Sequence, residues 1–357
     1  MRPKLRVGLI GAGGISRAHI PGYLGCADRA EVVAIAEPNE AAAARAAAAL
    51  GAKPRVYADY RDLIERGDVE AVDVCLPHDL HEPAVVAAAE RGKHVLVEKP
   101  IARDLVEADR MIAAAERAGV TLMVCHDRRY HPAFAKIKEL VDAGALGRPL
   151  CLRLDHNQRI QLTPAHWIFQ KQRLGGGAVM SCLTHQFDLI RWYGGDVVRV
   201  GGMSITMPER MEGELIAVVP LRFASGAIGD TVINWNLAGR GLPGGLWYEL
   251  AWLSGSEGNL HNLGDGTIQL LRYDGSAERY ERIEVPEGRG HVGAIAHFVD
   301  CVREGRRPLT DGREGRAALE IAMAAYASEA TGRFVELPLS DPRTGSVVAA
   351  AAAPARR

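Results

Sequence analysis

Short apolar runs alternate with helix-forming segments along the first third of the chain, and this alternation most constrains its fold. Near-continuous apolar strands separated by helices are typical of a parallel sheet covered on both faces. Right-handed crossovers between such strands give a doubly wound α/β domain. Strands are predicted at Leu5–Ile10, Glu31–Ala36, Ala71–Leu76, His94–Val97 and Thr121–Cys125.

The pattern changes in the second half of the chain. Beyond Pro149, strand-like runs with glycine turns follow one another without intervening helices, which predicts a mostly antiparallel sheet. These runs are Cys151–Leu154, Val197–Thr206, Leu215–Phe223, Ala227–Trp235, Leu246–Leu253 and Thr267–Tyr273. Helical patterns return at Thr184–Tyr193, Val292–Arg303 and Gly312–Ala330. An α/β domain followed by a larger α+β domain is therefore expected.

Charge and cysteine usage exclude several classes of protein. Lys plus Arg number 43 and Asp plus Glu number 44, so the formal net charge is −1 and neither nucleic acid nor a membrane is an expected partner. No apolar run reaches the ~18 residues of a membrane span, and the N-terminus lacks signal-peptide features. The six cysteines are scattered, without zinc spacing or a CxxC pair. A reduced, cytoplasmic protein is expected.

A glycine-rich turn follows the first predicted strand and opens the first helix. Such a loop needs glycine where the chain turns and where the backbone meets a pyrophosphate, while the helix N-terminus supplies N–H donors. Gly11 and Gly13 fill these two roles, and Ser16 is small enough for close packing of helix and strand. The expected dinucleotide-contacting residues of the loop are Gly11, Gly13, Gly14 and Ile15.

An acidic residue ends the second predicted strand. Glu37 lies a little over 20 residues beyond the loop, where a carboxylate can accept hydrogen bonds from both ribose hydroxyls. The same charge would repel a 2′-phosphate, and Pro38 and Asn39 provide no compensating cation. The sequence therefore predicts NAD as the cofactor, with NADP less favoured.

Further cofactor contacts are expected where later strands end, because ligands bind at the carboxyl ends of parallel strands. Glu98 and Lys99 follow the fourth strand, and Pro100 fixes the turn after them. Pro77, His78 and His81 follow the third strand and are expected to flank the cofactor. The His–x–x–His spacing has no evident third ligand, so no metal site is expected.

These motifs together resemble the Gfo/Idh/MocA oxidoreductases, a family that includes glucose–fructose oxidoreductase and inositol dehydrogenase. The resemblance reaches to about Leu339 and implies a Rossmann domain over residues 1–127 and a substrate-binding α+β domain over 128–339. Residues 340–357 are expected to form a disordered tail. The matching stretches are Gly11–Ser16, Gly92–Val95 leading into Glu98–Pro100, Gly144–Pro149, Gly175–Gly177 followed by His185 and Asp188, and Pro308–Gly312.

The resemblance also implies the catalytic residues. In the family, the lysine of Glu-Lys-Pro lies near substrate and nicotinamide, and a histidine of the second domain acts as acid/base. Lys99 and His185 match these positions. The family often has an aspartate four residues before the histidine, where this chain has Ser181. A serine can orient an imidazole by hydrogen bonding but adds no charge.

A polyhydroxylated substrate is expected from the polar residues near the domain junction and beyond it. Their hydroxyl-binding groups and one aromatic ring suit a sugar or cyclitol. The expected substrate-binding residues are Lys99, Arg129, Tyr130, Asn157, Arg159, Trp167, Ser181 and His185. The resemblance further implies a homodimer or homotetramer.

The main hypothesis is an NAD-dependent oxidoreductase that transfers hydride between nicotinamide and a secondary alcohol of a sugar, cyclitol or related polyol. His185 would act as acid/base and Lys99 as an electrostatic helper. One alternative is a glycosidase-like enzyme that uses bound NAD for transient oxidation and elimination, without net NADH formation. Another is a non-catalytic NAD-binding sensor, an option that the serine at position 181 leaves open.

Overall fold

A computed structural model of the chain describes residues 3–160, 162, 165–237, 247–262, 264–273 and 275–352. The chain divides into two compact units. Unit 1 consists of Met1–Ala102, Val106–Tyr130 and Arg289–Arg316. Unit 2 consists of Arg103–Leu105, His131–Gly288 and Ala317–Arg357.

Unit 1 contains a parallel sheet with strand order β3-β2-β1-β4-β5-β6. The order reverses between β1 and β4, which is the point where open α/β sheets bind ligands. The predicted doubly wound fold is thus confirmed. The strands are β1 (Leu5–Ile10), β2 (Ala30–Ala36), β3 (Arg55–Tyr57), β4 (Ala71–Val74), β5 (His94–Val97) and β6 (Leu122–Val124).

The helices begin and end where local signals place them. Asn39 caps the second helix by accepting a hydrogen bond from the Ala42 N–H at 2.9 Å. Gly51 ends the same helix in the left-handed conformation, with φ of 62°. The described helices are α1 (Ser16–Gly25), α2 (Glu40–Leu50), α3 (Tyr60–Arg66), α4 (His81–Glu90), α5 (Leu105–Ala118), α6 (Pro132–Asp142), α7 (Lys171–Leu174), α8 (Thr184–Gly194), α9 (Gly290–Glu304), α10 (Gly312–Thr331) and α11 (Val347–Ala352). None of them is long and apolar enough to cross a membrane.

Helix α9 is part of the core of unit 1, although it follows unit 2 residues in sequence. Its side chains Ile295 and Phe298 are fully buried in the cluster that includes Val7 and Leu9 of β1. A Cβ atom at Gly22 of α1 would lie 2.8 Å from the Ile295 side chain, so glycine permits this close approach. The expected boundary near residue 127 therefore does not describe all of unit 1, since residues 289–316 return to it.

Unit 2 contains a large sheet with strand order β15-β14-β13-β12-β7-β11-β10-β8-β16, and β9 pairs with β10. Strands β7 and β11 pair in parallel, whereas the other described pairings are antiparallel, which confirms the predicted sheet. The strands are β7 (Pro149–Gln158), β8 (Val197–Val200), β9 (Met203–Thr206), β10 (Glu214–Phe223), β11 (Ile228–Asn234), β12 (Trp247–Gly255), β13 (Gly258–Asn262), β14 (Thr267–Tyr273), β15 (Glu278–Glu284) and β16 (Val335–Glu336).

Two local features of unit 2 differ from the expectations. The single strand predicted over Val197–Thr206 is divided at Gly202, where a Cβ atom would lie 2.3 Å from the Ala325 carbonyl oxygen. The segment after Leu339 includes α11, and the Ser346 hydroxyl donates a hydrogen bond to the buried Asp104 carboxylate at 2.8 Å. The last residues of the predicted tail, 353–357, lie outside the described residues.

Candidate active site

The glycine-rich loop has the backbone geometry that a phosphate-binding turn requires. Gly11 has φ of +91°, and a Cβ atom there would lie 2.5 Å from the Cys75 carbonyl oxygen. A Cβ atom on Gly13 or Gly14 would have no described atom within 4 Å, which leaves space beside the loop. The Ser16 hydroxyl donates to the Gly13 carbonyl at 2.8 Å and so closes the turn onto α1.

The Glu37 carboxylate is held against this loop. One oxygen accepts a hydrogen bond from the Ala12 N–H at 2.9 Å, and the other accepts one from the Asn39 N–H at 2.9 Å. Each carboxylate oxygen has a second lone pair, so both can also accept a ribose hydroxyl. The first turn of α1 carries no acidic residue, which suits a bound pyrophosphate. The loop, the helix and Glu37 together fit an adenine dinucleotide.

Lys99 follows β5 at the ligand-binding edge of the sheet of unit 1 and is half-buried. Its backbone N–H donates to the Glu98 carboxylate at 3.1 Å. The peptide bond to Pro100 is cis. The hydrogen bond to Glu98 holds the main chain at Lys99.

The residues after β4 pack next to this strand end. Pro77 precedes a 3₁₀ turn over His78–Leu80. His81 is fully buried, with its ring nitrogens 3.0 Å from the Pro100 carbonyl oxygen and 2.9 Å from the Leu76 carbonyl oxygen. Burial lowers the pKa of His81. The His81 ring connects the loop after β4 to the Glu-Lys-Pro turn. A contact between His81 and the cofactor stays a prediction.

Two of the expected substrate-binding residues make their described contacts inside unit 1. The Arg129 guanidinium donates to the Glu314 carboxylate at 2.8 Å and to the Leu309 carbonyl at 3.2 Å. The Tyr130 hydroxyl lies 3.5 Å from the Thr310 hydroxyl. Arg129 is only 4% exposed, so its charge is used in holding the segment after α9.

In unit 2, the glycine triplet places the helix that carries His185. At Gly176 and Gly177, added Cβ atoms would lie 2.1 Å from the Tyr326 hydroxyl and 2.4 Å from the backbone of Glu214. The Tyr326 hydroxyl accepts from the Gly177 N–H at 3.1 Å and donates to the Glu214 carboxylate at 2.9 Å. That carboxylate also accepts from the Val179 N–H at 3.0 Å. These side chains satisfy the N–H groups at the start of the helix.

Ser181 lies in a π-helical turn, Val179–Leu183, and His185 lies in the first turn of α8. Both side chains are buried. The wider π turn means that the i, i+4 geometry of a regular α-helix does not apply to this pair. The sequence contains no periodicity from which this turn could be predicted.

A buried polar group that the sequence reasoning missed lies beside α8. The His156 ring nitrogen Nδ1 is 2.8 Å from the Glu249 carboxylate, which also accepts a hydrogen bond from the Gln186 amide at 3.0 Å. Although burial opposes a charged ring, Cys182 and Glu249 raise the pKa of His156 to about 9. The alternation along β7 indicates that His156 faces the core, because Leu152, Leu154 and His156 share the buried face.

The remaining expected substrate residues lie in strand β7 of unit 2 or after it. Asn157 directly follows His156 in β7, so it lies on the opposite face of the sheet from the His156–Glu249 pair. Arg159 is exposed and forms an isolated bridge with Asn236. Trp167 begins a short 3₁₀ helix that His166 caps. Contact of these three residues with substrate stays a prediction.

Comparison with known proteins agrees with both units. Residues 5–126 match the model of the oxidoreductase family with an NAD-binding Rossmann fold, and residues 134–261 match the GFO/IDH/MocA C-terminal domain. The chain is 31% identical over 342 residues to a myo-inositol 2-dehydrogenase of Thermotoga maritima, covering 93% of this chain and 98% of the relative. It is 27% identical over 355 residues to an NAD⁺-dependent scyllo-inositol 2-dehydrogenase of Bacillus subtilis, covering 97% and 100%.

A solved structure extends the comparison to the fold. A levoglucosan dehydrogenase in complex with NADH and levoglucosan matches with a TM-score of 0.87 and 26% identity, covering 94% of this chain and all of the other. The glycine-rich loop and the Glu-Lys-Pro turn lie in the first matched region, and strands β7 to β12 of the large sheet lie in the second. The chain therefore belongs to the Gfo/Idh/MocA family of NAD-binding oxidoreductases.

Proposed function

We propose that this chain is an NAD-dependent dehydrogenase that acts on a secondary alcohol of a sugar, cyclitol or related polyol. The observation that carries the proposal is the match along 93% of the chain to a myo-inositol 2-dehydrogenase. The carboxylate of Glu37, held against the phosphate loop, supports the choice of NAD over NADP. The levoglucosan dehydrogenase neighbour acts on a different polyol, so the proposal names a class of substrate and no single compound.

The chemistry requires few side chains of the protein. His185 takes the hydroxyl proton, because a neutral imidazole exchanges protons near neutral pH. The Lys99 ammonium stabilises negative charge that develops on the substrate oxygen. Bound NAD⁺ supplies the hydride acceptor. In the reverse direction, His185 returns the proton to the new alcohol oxygen.

A substrate screen tests the proposed reaction. Inositols and aldoses are incubated with NAD⁺ or NADP⁺, and NADH or NADPH formation is followed by absorbance. We expect turnover with at least one polyol and a preference for NAD⁺. No turnover with any polyol in either direction would refute the dehydrogenase. Bound NAD with cleavage of a glycoside and no net NADH would instead support the glycosidase-like alternative.

Replacement of His185 tests the assignment of the base. His185→Ala should lower turnover by on the order of 10²–10⁴, because it removes general base catalysis. The affinity for NAD⁺, measured by calorimetry, should not change, since the phosphate loop belongs to unit 1. His261→Gln on β13 is the matched control and should keep wild-type turnover. If turnover falls by less than about tenfold in His185→Ala, another residue acts as the base.

Ser181→Asp tests the departure from the family pattern. An added carboxylate four residues before His185 should raise the pKa of the imidazole and shift the acidic limb of the rate profile to higher pH. The variant should remain active, because Ser181 supplies orientation and no charge. An unchanged pH profile would show that the side chain at 181 does not interact with His185.

A further inference from the structure

A second group of chemically reactive side chains lies buried inside unit 1, separate from the phosphate loop. It combines His19 of α1, Glu98 after β5, Cys125 after β6 and His291 of α9. One ligand atom from each lies within 4.8 Å of the other three. We propose that these four residues bind one zinc ion. This inference does not depend on the proposed dehydrogenase function.

The spacing of the four atoms suits a central ion. The Cys125 sulfur is 3.9 Å from His19 Nε2, and His291 Nε2 is 3.8 Å from Glu98 Oε1. A tetrahedral zinc with bonds of about 2.0–2.3 Å separates its ligand atoms by roughly 3.3–3.7 Å. The N···O distance of 3.8 Å is too long for a hydrogen bond. The shorter contact, 2.9 Å between His19 Nε2 and Glu98 Oε1, need only widen slightly to admit the ion.

The second ring nitrogen of each histidine is held by a carboxylate. His19 Nδ1 is 2.9 Å from the Asp73 carboxylate, and His291 Nδ1 is 3.2 Å from the Asp127 carboxylate. The Tyr23 hydroxyl donates to the same Asp73 oxygen at 3.0 Å. Histidine ligands of metals usually donate Nδ1–H to such a partner, which directs Nε2 toward the ion. Both imidazoles therefore present the correct nitrogen to the centre.

The donor set suits zinc and excludes magnesium and calcium. Thiolate and imidazole ligands are too soft for magnesium or calcium, which prefer oxygen. Four protein ligands leave no open position, so the site would be structural. Ion binding displaces two protons, one between His19 and Glu98 and one from the Cys125 thiol. The partly exposed edge of His291, whose side chain is 16% accessible, provides a route of entry.

Such an ion would join parts of unit 1 that are distant in sequence. It would link α9, which returns from beyond residue 288, to the ends of two sheet strands. The other oxygen of Glu98 already accepts the Lys99 N–H, so the site would also fix the main chain at Lys99. No short-range cysteine spacing marks it, which is why the sequence predicted no metal site.

The test measures zinc in tag-free protein by mass spectrometry, before and after incubation with ZnCl₂ and desalting. We expect about one zinc per chain in the wild type and at least a fivefold loss in Cys125→Ser. Cys75→Ser is the matched control, because Cys75 lies on the other side of the same ring, 3.6 Å from His19 Nδ1. It should keep its zinc, as should His297→Gln on α9.

Three results separate the outcomes. Loss of zinc in Cys125→Ser with retention in Cys75→Ser and His297→Gln supports the site. Less than about 0.1 zinc per chain after incubation would overturn it and leave a hydrogen-bonded network. Loss of zinc in Cys75→Ser with retention in Cys125→Ser would overturn the ligand assignment. If the variants do not fold, Co²⁺ substitution of the wild type should give a thiolate charge-transfer band, and its absence would likewise refute the site.

Discussion

At the scale of single residues, two carboxylates perform different tasks. Glu37 accepts backbone N–H groups from both sides of the cofactor loop and therefore has a fixed position before any ligand binds. Glu249 pairs with an imidazole inside the large sheet of unit 2. The first of these roles was predictable from its distance to the glycine loop. The second was not, because His156 and Glu249 meet only across the pairing of β7 with β12.

Glu37 is predicted to set the choice of cofactor. Glu37→Ser removes the charge that opposes a 2′-phosphate, and a shorter hydroxyl replaces the acceptor for ribose. The ratio of kcat/KM for NAD⁺ to that for NADP⁺ should fall by about 10–100-fold, the equivalent of losing a charged hydrogen-bond acceptor. Glu40→Ser, at the exposed start of α2, serves as the control and should keep the ratio. An unchanged ratio in Glu37→Ser would refute this role.

His156 is predicted to make unit 2 less stable as the pH becomes alkaline. Its pKa is raised to about 9 in the fold, against about 6.5 for a free imidazole. The stabilisation is fully present below about pH 6.5 and is lost as pH rises through about 9. It is on the order of 3 kcal/mol. Urea unfolding midpoints should show this loss in the wild type and not in His156→Gln. Parallel pH dependence in both proteins would contradict it.

At the scale of elements, the structure explains why three consecutive glycines precede the helix of His185. The backbone there contacts Tyr326 and Glu214 at distances that leave no room for a Cβ atom. The two side chains then bind the first N–H groups of the helix. The glycine triplet indicated a constrained turn. The partners could not be predicted, because they lie on β10 and α10, far along the chain.

Tyr326 is predicted to anchor this helix start. Tyr326→Phe leaves the Gly177 N–H and one bond to the buried Glu214 unsatisfied, which should lower the free energy of unfolding by about 1–3 kcal/mol. Tyr280→Phe, on the exposed strand β15, is the matched control and should have no effect. NAD⁺ affinity should be the same in both. Equal stability of the two variants, measured by urea unfolding, would show that the hydroxyl is not needed.

The elements predicted from sequence were those with strong local signals. Strands β1 and β2 have long apolar runs, and their limits agree with the prediction to within a residue. Strand β3 was missed because it has three residues, two of them exposed. Strand β15 was missed because its sequence, ERYERIE, is almost entirely polar and exposed. Strands β3 and β15 form because each pairs with a neighbouring strand. No local sequence pattern contains that information.

At the scale of the whole molecule, the open face of the large sheet bears on assembly. Trp252 of β12 and Ile228 of β11 are 41% and 49% exposed, whereas Leu152 and Leu154 on the other face of β7 are buried. Arg153 pairs directly with Trp252 across the strands and forms a bidentate ion pair with Asp230. A sheet face that combines exposed apolar side chains with a charged pair is typical of an interface between protein chains.

The homodimer or homotetramer expected from the family resemblance is therefore predicted to form through this face. Trp252→Glu replaces the exposed indole with a charge that an interface would have to desolvate, and it should reduce the mass measured by light scattering to that of one chain. Leu24→Glu, an equally exposed apolar position on α1, should leave the mass of two or four chains unchanged. Secondary structure should be retained in both variants, because the Trp252 ring does not belong to the core. A wild-type protein that is monomeric at micromolar concentration would refute the assembly, and an oligomer unaffected by Trp252→Glu would place its interface elsewhere.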